Sequence, residues 1–397
     1  MVGLLKLAGA LQIMTVEQTL ADLVAIDSVS ARSNSEINSH LEQRCSALGL
    51  SINKFGYVDT GGVEKTNLIA IAEAHSKAPS SLRSAGALQI ELALVGHTDT
   101  VPYDPNWSEA LRLTERDGKL YGRGACDTKA FIAAAVTAVE GINLARLKKP
   151  LALVFTADEE IGCLGAKRLA GARPFTARYA IVGEPTRLQP MRAGKGYCLA
   201  QVTVSGREAH SAYPQLGASA IFRAAKLIGK IETIAEQLKN NQHTDFDPPY
   251  TTINVGVING GSAKNIIPGE CRFTLEWRTI PGQKSDYVLN LVRAAIKDLK
   301  RDDPDFECEI DADRADDSFE TRADSELVEF LAQAANQSSG TVAFGTEAPS
   351  MIALGAEAVV FGPGDIRVAH RTGEFVPIDE LSECAQILKQ AIERFCA

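Results

Sequence analysis

The chain has 397 residues, 45% hydrophobic and 23% charged, which excludes a disordered or fibrous protein and leaves room for two domains with large cores. Lys plus Arg number 41 and Asp plus Glu 50, a net charge of −9. With no basic block, this argues against nucleic acid or an anionic membrane as a partner, and no apolar run reaches the ~18 residues of a spanning helix.

In chain order, residues 1–14 are apolar and read as an extension before the fold rather than a secretory signal, which would begin basic. Helical spacing follows at 16–26, opened by Thr15, and at 34–48. Residues 66–72 and 88–96 read as strands, 111–121 as a hairpin turning on Asp117-Gly118, and 128–144 as a small-residue helix. Buried strands are expected at 151–156 and 179–182. From about 191 the pattern changes: a half-exposed strand at 196–205, a long amphipathic helix at 217–238, strands near 251–258 and 271–277, and a helix near 284–299. A polar, Pro-containing break at 301–306 ends this group. Strands near 341–344 and 358–361 and a helix at 378–395 restore α/β patterning. The expected layout is one α/β domain (1–190 and 307–397) interrupted by an α+β insert (191–306). Eight scattered cysteines without a C-x-x-C pair suit a reduced, cytoplasmic chain.

Five clusters carry chemistry. His97 and Asp99, in Gly96–Pro102 (GHTDTVP), follow a buried strand, where α/β folds place their sites. A His with a carboxylate two residues on suits a metal ligand and the acid that orients it, or a polar strand end. Asp127 precedes the small-residue helix and reads equally as its N-cap. Asp158, Glu159 and Glu160 follow the apolar strand 151–156; adjacent carboxylates can divide labour between a metal and a proton. Glu184 follows another buried strand, and the loop 362–374 offers His370 and, four residues on, Glu374. Together these nitrogen and oxygen donors fit a pair of divalent ions, zinc first. His40, His75 and His243 have no such company and read as incidental.

These motifs, with RAGKGY, EAHSAYP, GGSAKNIIP, TLEWRTIPG, FGTEAP and FGPGDIRVAH in order from residue 16 to the end, resemble the zinc-dependent M20 metallopeptidase and deacylase family. The resemblance implies an α/β catalytic domain, a mixed sheet flanked by helices, with an inserted ferredoxin-like lid that forms a homodimer. It implies two divalent ions per subunit, zinc with cobalt as the alternative: His97, Glu160 and Asp127 around one, Glu184 and His370 at the other, Asp127 bridging. Asp99 would orient His97, Glu159 would be the general base, and His210 would hold the developing oxyanion. Arg278 would receive a substrate carboxylate, with Asn265 in a similar lid segment. The implied partner is a small N-acyl amino acid, N2-acetyl-L-ornithine first. Succinyl-diaminopimelate, acetylcitrulline, acetyl-lysine and C-terminal glutamate are the other substrates within the family. A side-chain ammonium would need an acidic pocket end, for which Glu347 is the candidate, or Glu347 is a helix-start acid. A metal-free binding homologue is the alternative outside the enzyme class; the complete ligand set argues against it. The chain departs from the family at Asp127-Thr128-Lys129-Ala130, where Asp-Met-Lys-Gly is usual, at Cys126 and at Asn106–Glu109.

Overall fold

The computed structural model describes residues 14–74 and 88–397; the opening extension and His75 lie outside the described residues. The chain forms two compact units. The first holds the N-terminal part through Arg192 together with 321–339 and 346–397, and the second holds 193–320 and 340–345.

In the first unit six strands run in the order Ser51–Val58, Glu64–Ala72, Leu151–Thr156, Leu88–His97, Phe175–Val182 and Glu357–Val360. The last four are mutually parallel, while the first two join antiparallel. Leu151–Thr156 is buried along its whole length, which is why it reads as an unbroken apolar run: helices cover both faces of such a sheet. The alanines of helix Lys129–Glu140 bury almost the entire helix, and the approach is close. A Cβ on Gly96 of the adjoining strand would stand 2.9 Å from Ile132. Helices Val16–Val24 and Ile378–Cys396 pack on the same core. The C-terminal ends of three neighbouring parallel strands deliver His97, the turn 157–163 and Glu184 to one edge of the sheet, the position where open α/β sheets bind ligands.

The second unit is a four-stranded antiparallel sheet in the order Thr252–Gly260, Glu270–Arg278, Tyr197–Ser205 and Glu307–Asp316. Helices Ala220–Leu238 and Tyr287–Asp302 bury one face of it. Alternation supplies that face: Cys198, Ala200, Val202 and Val204 on one strand meet Cys271, Phe273, Leu275 and Trp277 on the next. The insert runs further than the expected 306. Glu307–Asp316 pairs along Tyr197–Ser205, so the second unit continues to Glu320. Its mostly polar sequence hid the strand, because little of it is buried. No disulfide joins the eight cysteines. Among the described residues no helix is long and apolar enough to cross a membrane.

Candidate metal centre

Asp127 is the hub. Its Oδ1 lies 3.0 Å from His97 Nε2, and its Oδ2 lies 3.1 Å from His370 Nε2. The N-cap reading of Asp127 does not hold. Thr128 occupies the cap position without a side-chain cap bond, and the Asp127 carboxylate faces the two histidines instead. Glu374 fixes this orientation from behind. Its Oε1 accepts the backbone N–H groups of Cys126 (2.9 Å) and Asp127 (3.1 Å), and its Oε2 accepts from Arg123 at 2.5 Å. Both Glu374 and Arg123 are buried.

His97 ends its strand fully buried. Its Nδ1 meets the backbone oxygen of Asp99 at 3.0 Å, while the Asp99 carboxylate is 3.7 Å away. Donation from Nδ1 to that carbonyl leaves Nε2 for a metal. Asp99 thus orients His97 chiefly through its backbone. Its carboxylate serves the neighbouring turn, accepting the N–H groups of Glu159 (3.1 Å) and Glu160 (3.3 Å) and the Ser30 hydroxyl (2.8 Å).

His97, Asp127 and Glu160 offer ligand atoms all within 4.8 Å of one another. The second group differs from the expected pairing of His370 with Glu184. His370, half-exposed on its loop, stands 2.9 Å from Glu160. Glu184 lies 4% exposed, and the charges acting on it are Asp127, Glu159, His97 and Glu160. Both acids are nearly covered, the Glu160 side chain being 5% exposed, so the 2.9 Å contact and not depth associates His370 with Glu160.

The electrostatics show what the cluster lacks. Burial, then the neighbouring carboxylates, pushes Glu184 well up, lifts Glu160, and raises Glu159 to about 8. Burial opposes ionisation of Asp127 as well, but the two histidine hydrogen bonds outweigh it and hold its pKa down. Burial likewise opposes charge on His97, yet Asp127 and the other acids carry its pKa well above the usual value. His370 is raised to about 10 by hydrogen bonds to Asp127 and Glu160. Glu159, Glu160 and Glu184 are each raised by the charges of neighbouring carboxylates, a repulsion that the two imidazoles offset only in part and that divalent cations would relieve. The donor set of nitrogen and carboxylate oxygen, with one acid facing both histidines, fits two divalent ions.

Glu347 is 1% exposed. It stands at the N-cap of helix Ala348–Ala353 but makes no cap bond; Oε2 accepts from the Thr156 hydroxyl at 2.8 Å, and Oε1 has no hydrogen-bond partner. Burial raises its pKa to about 7.

The remaining expected residues belong to the second unit. His210 sits on a short strand paired with Ile266–Ile267, and the Asn265 carbonyl accepts from Ser211 N–H. His210 Nδ1 accepts the Ala212 N–H at 3.1 Å, which leaves an outward N–H on Nε2 in the neutral ring. Arg278 closes the strand Glu270–Arg278, bound to Glu276 at 2.8 Å and the Ala343 carbonyl at 2.5 Å, with its guanidinium 4.2 Å from the Tyr197 ring centre. The structure does not gather these residues: His210 and Asn265 lie beyond the Glu270 end of that strand. Arg278 is at the other end of that strand, eight steps of ~3.3 Å away.

The fold and this centre define a metal-dependent hydrolase class, and the comparisons agree. Residues 93–394 match the model of peptidase family M20/M25/M40, so the chain belongs to that family of amide-cleaving enzymes. It is 52% identical over 379 residues to the acetylornithine deacetylase of Myxococcus xanthus, covering 95% of this chain and 97% of that one. It is 32% identical to the acetylornithine deacetylase of Proteus mirabilis, covering 97% and 98%. Among solved structures, a tripeptidase from Staphylococcus aureus superposes with a TM-score of 0.74 at 23% identity, covering 95% of this chain and 98% of that one. An M20 family metallo-carboxypeptidase from Sulfolobus solfataricus does so at 0.73 and 19%, covering 96% and 99%. These two support the mixed α/β fold.

Proposed function

We propose that the chain hydrolyses N2-acetyl-L-ornithine to L-ornithine and acetate. The gathering of three glutamates and two histidines around Asp127 supports amide hydrolysis, and the 52% identity over nearly the whole chain to an acetylornithine deacetylase supports the substrate. His97, Asp127 and Glu184 would hold one ion and Asp127, Glu160 and His370 the other, zinc first and cobalt as the alternative. When bound, two such ions polarise the acyl carbonyl and lower the pKa of water toward ~7.

The chain's own residues do the rest. Glu159, buried and already basic for a carboxylate, takes the proton of the attacking water and returns it to the departing amine. In the proposed dimer, His210 of the partner subunit would offer Nε2–H to the developing oxyanion, because one chain's His210 and Arg278 lie toward opposite ends of the strand Glu270–Arg278, too far apart to share one small substrate; such a contact is typically worth ~3 kcal/mol. Arg278 offers a planar fork to the α-carboxylate. Glu347, with one oxygen lacking a protein partner, takes the side-chain ammonium. The chain works as a cytoplasmic homodimer through the inserted unit. The outer strand Thr252–Gly260 supports this, with Val257 and Ile258 more than half exposed.

The test is amine release by the zinc-loaded protein from N2-acetyl-ornithine, N2-acetyl-citrulline, N2-acetyl-lysine and N-succinyl-diaminopimelate. Chelator-sensitive turnover strongly favouring acetyl-ornithine is expected. Preference for another member moves the pocket assignment, and no turnover with metal bound overturns the function.

A further inference from the structure

The turn that carries Glu159 and Glu160 is strained. Asp158 (φ 58°) and Cys163 (φ 54°) both have left-handed backbones, and Gly162 between them has φ 122°. Side chains without glycine's freedom adopt this region at a cost, and persist there when their surroundings over-determine them. Those surroundings come from the first residues of strand Glu64–Ala72. That strand pairs antiparallel with Leu151–Thr156 in the register Leu68↔Phe155, which, carried past the strand end, sets Lys65 opposite Asp158.

The Lys65 ammonium meets Asp158 Oδ1 at 2.9 Å, with the two side chains 1% and 0% exposed. The same ammonium donates to the Arg32 carbonyl at 2.7 Å and to the Ser30 carbonyl. Tyr57 donates its hydroxyl to the other Asp158 oxygen at 2.7 Å. Two residues along the strand, Asn67 accepts the Ala157 N–H and donates to the Gly165 carbonyl, each at 3.0 Å, clamping both ends of the turn. Within the turn the Cys163 thiol donates to Glu159 Oε1 at 3.3 Å.

A buried ion pair is a poor way to gain stability, because the desolvation cost rivals the attraction and an apolar pair of similar volume serves as well. This pair fixes geometry instead. Asp158 points back to Lys65, and its immediate neighbour Glu159 is thereby turned toward the centre, with its backbone N–H on Asp99. We propose that Lys65 is a positioning residue for Glu159, acting through Asp158. This rests on the reading of Glu159 as the base.

The experiment compares Lys65→Met, Lys65→Met with Asp158→Asn, Tyr57→Phe and Glu159→Gln in the zinc-loaded enzyme. It measures kcat, KM, bound zinc and melting temperature for each. The double variant is neutral, and asparagine tolerates the left-handed backbone, so it keeps the fold where the single change strands a buried carboxylate. Expected in the double variant is a kcat loss of about 100-fold, the scale set by displacing a reacting group by ~1 Å, with KM within about threefold and two ions retained. Tyr57→Phe, which removes only the outer contact to Asp158, is expected to lose kcat about fivefold with the same pattern. Wild-type kcat in the double variant or in Tyr57→Phe overturns the proposal, as does a kcat loss that simply follows lost zinc. Full activity in Glu159→Gln overturns the reading of the base separately, whatever the Lys65 variants do.

Discussion

Glu374 shows how far a residue's role can lie from its place in the sequence. It follows His370 by four residues and could be taken for a further ligand, yet both its oxygens serve Arg123 and the backbone at 126–127. The candidate ligands were legible as residue types: His97, Glu160 and Glu184 end or follow buried strands, while Asp127 and His370 stand on loops. The residues that aim them were not. Lys65, Asn67, Arg123 and Glu374 are polar side chains that each have a partner 90 or more positions away, and no local pattern marks a charge as buried. Which acid His370 approaches was also beyond the sequence, because its 2.9 Å contact with Glu160 joins positions 210 apart in the chain. Removing Glu374's charge loosens the hold on Asp127 without deleting a ligand. Glu374→Gln is expected to weaken metal affinity 10- to 100-fold, the usual cost of losing such a supporting contact. A competition titration against a chelating dye measures it, and unchanged affinity would detach Glu374 from the centre.

At the scale of elements, the apolar strands were readable because a doubly covered sheet leaves no polar alternation to confuse them. Ser51–Val58 and Glu307–Asp316 were missed for the opposite reason: both are largely exposed, the second mostly polar and the first mixed in character. The helix Leu164–Ala172 begins one residue after a left-handed cysteine rather than a recognisable cap. Its first turn fits only because Gly165 has no side chain. A Cβ there would stand 2.4 Å from the Ala157 carbonyl oxygen and 2.3 Å from Asn67 Oδ1. Backbone cannot yield as a side-chain tip can, so Gly165→Ala is expected to destabilise the protein by about 3 kcal/mol, the upper end of ordinary overpacking. Thermal unfolding tests this, and an unchanged midpoint would show that the turn has slack.

At the scale of the whole molecule, the proposed function draws on residues of both units. The first concentrates buried carboxylates and two histidines. The second carries His210, Asn265 and Arg278 on a sheet whose outer strand exposes Val257 and Ile258, with Tyr213, Leu216 and Phe222 exposed elsewhere in the unit. These exposed apolar side chains are the basis of the proposed dimer. Ile258→Glu is expected to convert the proposed dimer to monomer in light scattering after size exclusion, with little change in melting temperature. A wild-type chain that runs as a monomer at the same concentration would remove the premise. The centre's assembly by Asp127 and its use of Glu159 as proton carrier stand or fall together on one comparison. Zinc content and turnover would be measured side by side for the native chain and Glu159→Gln. The expected result is two ions per chain in both, with kcat at least about 1,000-fold lower in the variant, near the upper range for loss of a general base. Retained turnover, or a native chain that binds no zinc, would contradict it.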